Sequence, residues 1–268
     1  MNLKDYLNKA KKEKRALGQF NFSTLDQLRG ILKAGRKTEK PLILGLSEGE
    51  LTYLGLEETI ALVEISKMKY RVSAFLNLDH GKNLNLIKKA VDYGFSAVHF
   101  DGSDLILEKN IEYAKKIVEY AHKKNVLVEG EIDSIGKGKI TKVYEAERFV
   151  NETGVDSLAI AIGSVHGWGK KEKLDFERLK EINKKLAVFL VLHGGSGIAE
   201  ASIKKAIKLG ITKININTEL RMVWKQNLVK TLKSKEIKPY KILPGVERAI
   251  QKKVEQKLKL FTPLEIAG

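Results

Sequence analysis

Cysteine is absent from all 268 residues, which removes disulfides, thiolate metal sites, iron–sulfur clusters and cysteine nucleophiles together. Any metal must be held by His, Asp or Glu. No apolar run approaches the roughly 20 residues that a membrane span needs, and the lysine-rich start, Met1 to Lys14, is not followed by the apolar core of a secretory signal. The cytoplasm is the expected location. Arginine is scarce: the 49 basic residues comprise 41 Lys and 8 Arg, set against 33 Asp and Glu, for a formal charge of 49 − 33 = +16. The lysines run from Lys4 to Lys259 without clustering, whereas bidentate gripping of phosphates or guanines favours arginine. Solvated helix faces are therefore expected, and nucleic acid is not the expected partner. No Pro/Ser linker, low-complexity stretch or composition break divides the chain, so one domain over residues 1–268 is expected. With 43% hydrophobic residues, a chain of this length buries most of its unfolded surface, and disorder as a whole-chain description is excluded.

Short apolar, β-branched runs recur roughly 25 to 30 residues apart: Ala16–Phe20, Pro41–Leu46, Val72–Leu78, Ala97–Phe100, Val126–Glu131, Ser157–Ile162, Ala187–Leu192 and Thr212–Ile216. Stretches of helical period lie between them, as in Leu84, Ile87, Ala90 and Val91, or Ile111, Ala114, Val118 and Ala121. Strands apolar on both faces that alternate with amphipathic helices read as parallel strands with crossover helices, and eight such units close into a (β/α)8 TIM barrel. A doubly wound dinucleotide fold would need a glycine-rich turn after its first strand, where this chain has Asn21-Phe22-Ser23-Thr24. The tail from Pro244 to Lys259 reads as an extra helix, with Val246, Ala249, Ile250 and Val254 on one stripe, packed on the barrel or on a partner subunit.

In such a barrel the chemistry sits just past the carboxyl end of each strand. The third expected strand ends Asp79-His80-Gly81, the fourth Asp101-Gly102-Ser103, and the fifth Glu129-Gly130-Glu131. The sixth runs into Gly163-Ser164-Val165-His166-Gly167 and the seventh into His193-Gly194-Gly195-Ser196-Gly197. Three of the five histidines, His80, His166 and His193, thus share one rim, which suits a catalytic Zn²⁺ that keeps a position open for substrate. His99, inside a strand, and His122, at a lysine-rich helix end, read as structural. Asp79, beside His80, can carry a proton to or from a substrate hydroxyl. Asp101 and Glu131 either orient imidazoles, hold a second cation, or serve as alternative ligands, and Glu129 is equally a salt-bridge residue. Gly194 to Gly197 and Asn215 to Thr218 occupy loops seven and eight, where barrels commonly cradle phosphate with backbone N–H groups and a helix N-terminus. Lys170 or Lys171 is either a further cation for that phosphate or a solvated loop residue.

These segments, with Gln19-Phe20-Asn21 at the start and Lys213 to Thr218 at the end, resemble the class II, metal-dependent ketose-bisphosphate aldolases of the fructose-bisphosphate and tagatose-bisphosphate type over nearly the whole chain. The resemblance implies that His80, His166 and His193 bind the zinc, that Asp79 is the acid/base, and that Asp101 and Glu131 belong to a second or alternative position for a metal or monovalent cation. It implies that Gly167, Gly194, Gly195, Ser196, Asn215, Ile216, Asn217 and Thr218 hold dihydroxyacetone phosphate, with Asn21 near its oxygens, and that the protein is a homodimer or homotetramer. The expected reaction is reversible aldol cleavage of a ketose bisphosphate, foremost fructose 1,6-bisphosphate, with tagatose bisphosphate or another phosphorylated or carboxylated ketose as the alternative. A non-catalytic barrel that binds polyanions is the reading from another class. A lysine Schiff base on Lys213 is formally available but leaves the three rim histidines unexplained.

The chain departs from the family pattern in three places. Asn77 stands where a histidine is usual, the segment after Glu131 (Ile132 to Lys139) is shortened, and Arg248 is not where related chains place an arginine for the distal phosphate. In the family the segment after Glu131 carries an acid for proton exchange on dihydroxyacetone phosphate. Either Asp133 takes that role here or the chain lacks it.

Overall fold

The computed structural model describes residues 1–135, 139–164 and 173–262. Eight parallel strands follow one another around a closed barrel: β1 (Leu17–Asn21), β2 (Leu42–Ser47), β3 (Ala74–Gly81), β4 (Ala97–Asp101), β5 (Leu127–Glu131), β6 (Ser157–Ala159), β7 (Phe189–Leu192) and β8 (Ile211–Ile216), which pairs back onto β1. Helix α1 (Leu3–Lys12) precedes the barrel. Helices α2 (Leu25–Thr38), α3 (Glu48–Leu54), α4 (Leu56–Tyr70), α5 (Leu84–Asp92), α6 (Leu107–His122), α7 (Val143–Thr153), α8 (Phe176–Lys185), α9 (Glu200–Lys208) and α10 (Thr218–Thr231) fall between or after the strands, and α11 (Pro239–Phe261) follows. This is the (β/α)8 TIM barrel that the eight alternating units imply.

The strands form close to their expected bounds. The largest differences are at β6, which ends at Ala159 rather than Ile162, and at β3, which continues through Asp79 and His80 to Gly81. Strand faces that look outward join one apolar cluster with the helices, including Phe20, Leu44, Leu78, Val98, Leu158, Leu192 and Ile216. The inward faces are layered. The lowest layer, with Leu17, Ile43, Ala97 and Phe189, meets Leu3, Leu7 and Ala10, so the apolar stripe of α1 closes the amino-terminal end. Above it the inward residues turn polar: Asn77 donates to Gln19 (2.8 Å), and Lys213 on β8 reaches Glu129 on β5 (2.6 Å). A barrel apolar at its floor and polar towards the carboxyl ends of its strands directs its chemistry to that end.

Helix α11 begins earlier than the sequence suggests and carries Pro244 within it. Val246, Ile250, Val254 and Leu258 are buried on one stripe, while Ala249 is only half-buried. The helix lies against α2, where Gly30 permits a close approach: a Cβ there would come within 2.9 Å of Ile250. Among the described residues no helix is long and apolar enough to cross a membrane. Because Ile250 is wholly enclosed, Ile250→Ala is expected to destabilise the fold by about 3 kcal/mol, read as a lowered urea midpoint at unchanged slope.

Candidate metal and substrate site

Successive residues of a strand face opposite sides, so Asp79 and His80 would not normally share a site. The ladder between β3 and β4 breaks there. Leu78 pairs with Val98 and Gly81 with Phe100, which sets two residues, Asp79 and His80, against the single residue His99. This is a bulge, and His80 at its centre has a left-handed backbone with φ of 51°. The reversal turns the His80 imidazole inward beside the Asp79 carboxylate.

His80 Nε2 and His193 Nδ1 face each other at 3.1 Å. Their other nitrogens meet carboxylates: His80 Nδ1 lies 2.9 Å from Asp101 and His193 Nε2 lies 2.7 Å from Glu129. A neutral imidazole has one N–H and one lone pair, and each N–H belongs on the nitrogen that faces an acceptor. Two lone pairs are then directed at one point, which is how two ligands of one cation stand, with carboxylates holding their tautomers from behind. The donor set, nitrogen with carboxylate and no sulfur, suits a divalent ion such as Zn²⁺. Without metal a proton serves the same purpose. Burial opposes a charged His80 ring, but Asp79, the Asp101 hydrogen bond and Glu131 outweigh it and raise its pKa to about 9. A metal must displace that proton. Its apparent affinity is therefore expected to weaken about tenfold for each pH unit below about 9, measured by chelator competition; an affinity indifferent to pH would contradict the assignment.

The surrounding acids differ in charge. Burial alone would neutralise Asp79, yet His80, His193, His99 and Lys213 hold its pKa well below the usual carboxylate range. Its oxygens accept from Asn21 (3.0 Å) and Asn215 (3.1 Å), which fixes the carboxylate at the barrel mouth. Glu129 is likewise kept ionised against burial, by Lys213 and His193. Glu131 goes the other way: burial and the neighbouring Asp101 push it up to about 8. Asp101 also accepts from Ser103 Oγ (2.6 Å) and stays ionised.

A cavity of about 230 Å³ opens at this end, lined by Asp79, His80 and His193 with Gly194, Ser196, Asn215, Asn217 and Thr218 from loops seven and eight, and by Ser47 and Arg221. Gly194 and Gly197 adopt positive φ (66° and 89°), a conformation that favours glycine. Ser196 Oγ accepts from the backbone N–H of Glu219 (3.1 Å), which ties loop seven to the first turn of α10. On the other flank Ser47 and Glu50 form a capping box that starts α3. The same buried Glu50 accepts from Asn21, Asn217 and Arg221, the last at 2.6 Å.

Most residues singled out in the sequence thus converge. Ile216 does not: its side chain faces outward into the apolar core, as the strand alternation after Asn215 requires. Asn21 is buried behind Asp79 instead of lining the cavity, and Gly195 bonds its N–H to the Asn215 carbonyl (3.2 Å). His166, Gly167, Lys170 and Lys171 lie outside the described residues. Lys213 is spent on Glu129 below the cavity, which disfavours a Schiff base. His99 faces away from Phe100, as its place in the strand implies. It is fully buried but inside the barrel, with its ring centroid 4.8 Å from that of His80 and 4.9 Å from that of His193. Ser47, Glu50 and Arg221 left no such trace, because three separate elements bring them together.

A parallel eight-stranded barrel with imidazoles, carboxylates and a polar cavity gathered at its carboxyl end has the layout of a barrel enzyme. The family model described as class II fructose-bisphosphate aldolase matches residues 1–264. A 6-phospho-5-dehydro-2-deoxy-D-gluconate aldolase of Shouchella clausii is 40% identical over 94% of this chain and 91% of its own. A fructose-bisphosphate aldolase of Staphylococcus aureus is 37% identical over 97% and 96%. Among solved structures, the YdjI aldolase of Escherichia coli K12 superposes with a TM-score of 0.88 at 30% identity, covering 97% of this chain and 96% of that one. The chain belongs to the class II fructose-bisphosphate aldolase family.

Proposed function

We propose that this protein is a metal-dependent aldolase that reversibly cleaves a phosphorylated ketose to dihydroxyacetone phosphate and an aldehyde. The observation that carries the reading is the pair of imidazole nitrogens facing each other at 3.1 Å, beside an ionised Asp79, at the edge of the cavity formed by loops seven and eight. His80 and His193 hold the ion, His166 is the proposed third ligand, and Asp101 and Glu131 support or share an alternative position. A divalent ion there, proposed to be Zn²⁺, supplies Lewis-acid polarisation of the ketose carbonyl.

Asp79 does the proton work. As the carbon–carbon bond breaks, the bonding pair passes to the ketone half and the hydroxyl proton of the aldehyde half passes to the Asp79 carboxylate, which Asn21 and Asn215 keep in place. Backbone N–H groups of Gly194 and Ser196 and of the start of α10, together with Gly167, receive the phosphate of the three-carbon half. Protonation of that half needs an acid. Asp133, on the segment after Glu131, is the acid proposed for this step, and burial raises its pKa.

Two substrates share this three-carbon half and differ at the far end. Fructose 1,6-bisphosphate ends in a second phosphate, and 6-phospho-5-dehydro-2-deoxy-D-gluconate, from which the 40% identical relative takes its name, ends in a carboxylate. Arg221, held by Glu50 at the cavity mouth beside Ser47, is the guanidinium placed to meet either anion.

Release of dihydroxyacetone phosphate from both substrates, with and without chelator, tests the reading. Turnover should vanish on chelation and return with Zn²⁺; turnover indifferent to metal removal would reject it. Asp79→Ala should keep the metal while kcat falls by about 10²–10⁴, and His193→Ala should lose the metal. In addition, Arg221→Ala should raise KM for the preferred substrate about tenfold or more, with the smaller change for the other; equal KM values would remove Arg221 from substrate recognition.

A further inference from the structure

His99 is enclosed by the site but has no part in the chemistry above. It stands within ligand distance of Asp79, His80 and His193, so proximity alone would make it one more metal ligand. Its hydrogen bonding excludes that. The bulge in β3 takes the His80 N–H out of the ladder with β4, and a buried N–H left unpaired is destabilising. The left-handed backbone of His80 adds strain for a residue other than glycine. Something must hold this conformation in place. The partner is His99: the His80 N–H donates to His99 Nδ1 at 3.0 Å.

A lone pair used at Nδ1 leaves the one proton of the neutral ring on Nε2. That nitrogen faces Glu131 Oε2 at 3.5 Å, and neither atom forms a hydrogen bond of normal length with any described residue. His99 therefore has an N–H, not a lone pair, to present to the interior. We infer that His99 is a positioning residue and not a ligand: its Nδ1 replaces the ladder partner that the bulge removes, fixing the backbone that turns His80 and Asp79 into one site, while its Nε2–H faces Glu131.

The consequence for metal binding rests on His80 being a ligand, as proposed above; the clamp itself does not. Two replacements separate the possibilities. His99→Asn keeps an acceptor near the Nδ1 position, and His99→Leu keeps bulk without one. In metal-free protein labelled with ¹⁵N-histidine, five amides report, and that of His80 is assigned by its absence from His80→Gln. Its hydrogen exchange should be slow in wild type, within about tenfold of that in His99→Asn, and faster by about 100-fold in His99→Leu. Zn²⁺ affinity by chelator competition should follow the same order, nearly retained in His99→Asn and weakened about 10- to 100-fold in His99→Leu. If His99→Leu does not fold, His99→Met offers the same comparison with a more pliant side chain.

Unchanged His80 exchange in the Leu or Met variant would overturn the clamp. Loss of metal as complete in His99→Asn as in His99→Leu would also overturn it, because that is how a ligand behaves. A wild-type protein that takes up no metal would sink the metal reading instead, with the amide exchange still deciding the role of His99.

Discussion

A strand presents alternate residues to one face, and a site that needs two adjacent side chains must break that rule somewhere. Here the break falls between Leu78 and Gly81, where β3 carries one residue more than β4 opposes and His80 takes a left-handed backbone. Without it Asp79 would face the interior while His80 pointed into the helical layer. Three features depend on the shift: the approach of His80 to His193, its hydrogen bond to Asp101 and its nearness to the ionised Asp79. The strain is local. It is held between β2 and β5, whose ladders to β3 and β4 run in regular parallel register.

The second constraint is charge. The barrel interior above its apolar floor contains Asp79, Glu129, Glu131, His99, His193 and Lys213, all nearly or wholly removed from solvent. Such groups persist only when each is answered by another. Lys213 answers Glu129, Glu129 holds His193, and Asp101 holds His80, so the chain of contacts fixes which nitrogen of each ring keeps a lone pair. Glu131 is the member that burial and Asp101 leave closest to neutral. The site is thus specified as one network, in which a change at a distant member such as Lys213 reaches the His193 ring through two hydrogen bonds.

Much of this is legible in the sequence because a parallel barrel writes itself in a simple code. Runs buried on both faces, such as Leu42–Leu46 and Leu190–Leu192, mark strands by composition alone, and the residues just past them mark the rim. His80, Asp101, Glu131 and His193 follow from that rule. The direction of His99, away from the outward Phe100, is legible in the alternation of the strand, but its contacts with the rings of His80 and His193 are not, because they depend on the bulge in β3. Ile216 failed on the same alternation, being the outward neighbour of an inward Asn215. The Ser47, Glu50 and Arg221 group is illegible in principle from local pattern, since it joins the end of β2, the start of α3 and the first turns of α10. The early start of α11 was hidden by Pro244, which ordinarily bars a helix interior.

Family membership supplies the reaction type, and the bulge supplies the means by which this chain assembles it. The most direct test is anomalous diffraction at the zinc edge from crystals grown with Zn²⁺. A single peak within bonding distance of His80 Nε2 and His193 Nδ1, with His99 unligated and still bonded to the His80 N–H, is the predicted result. A peak bonded to His99, or one held by His80 Nδ1 with Asp101 while His193 stands apart, would contradict it.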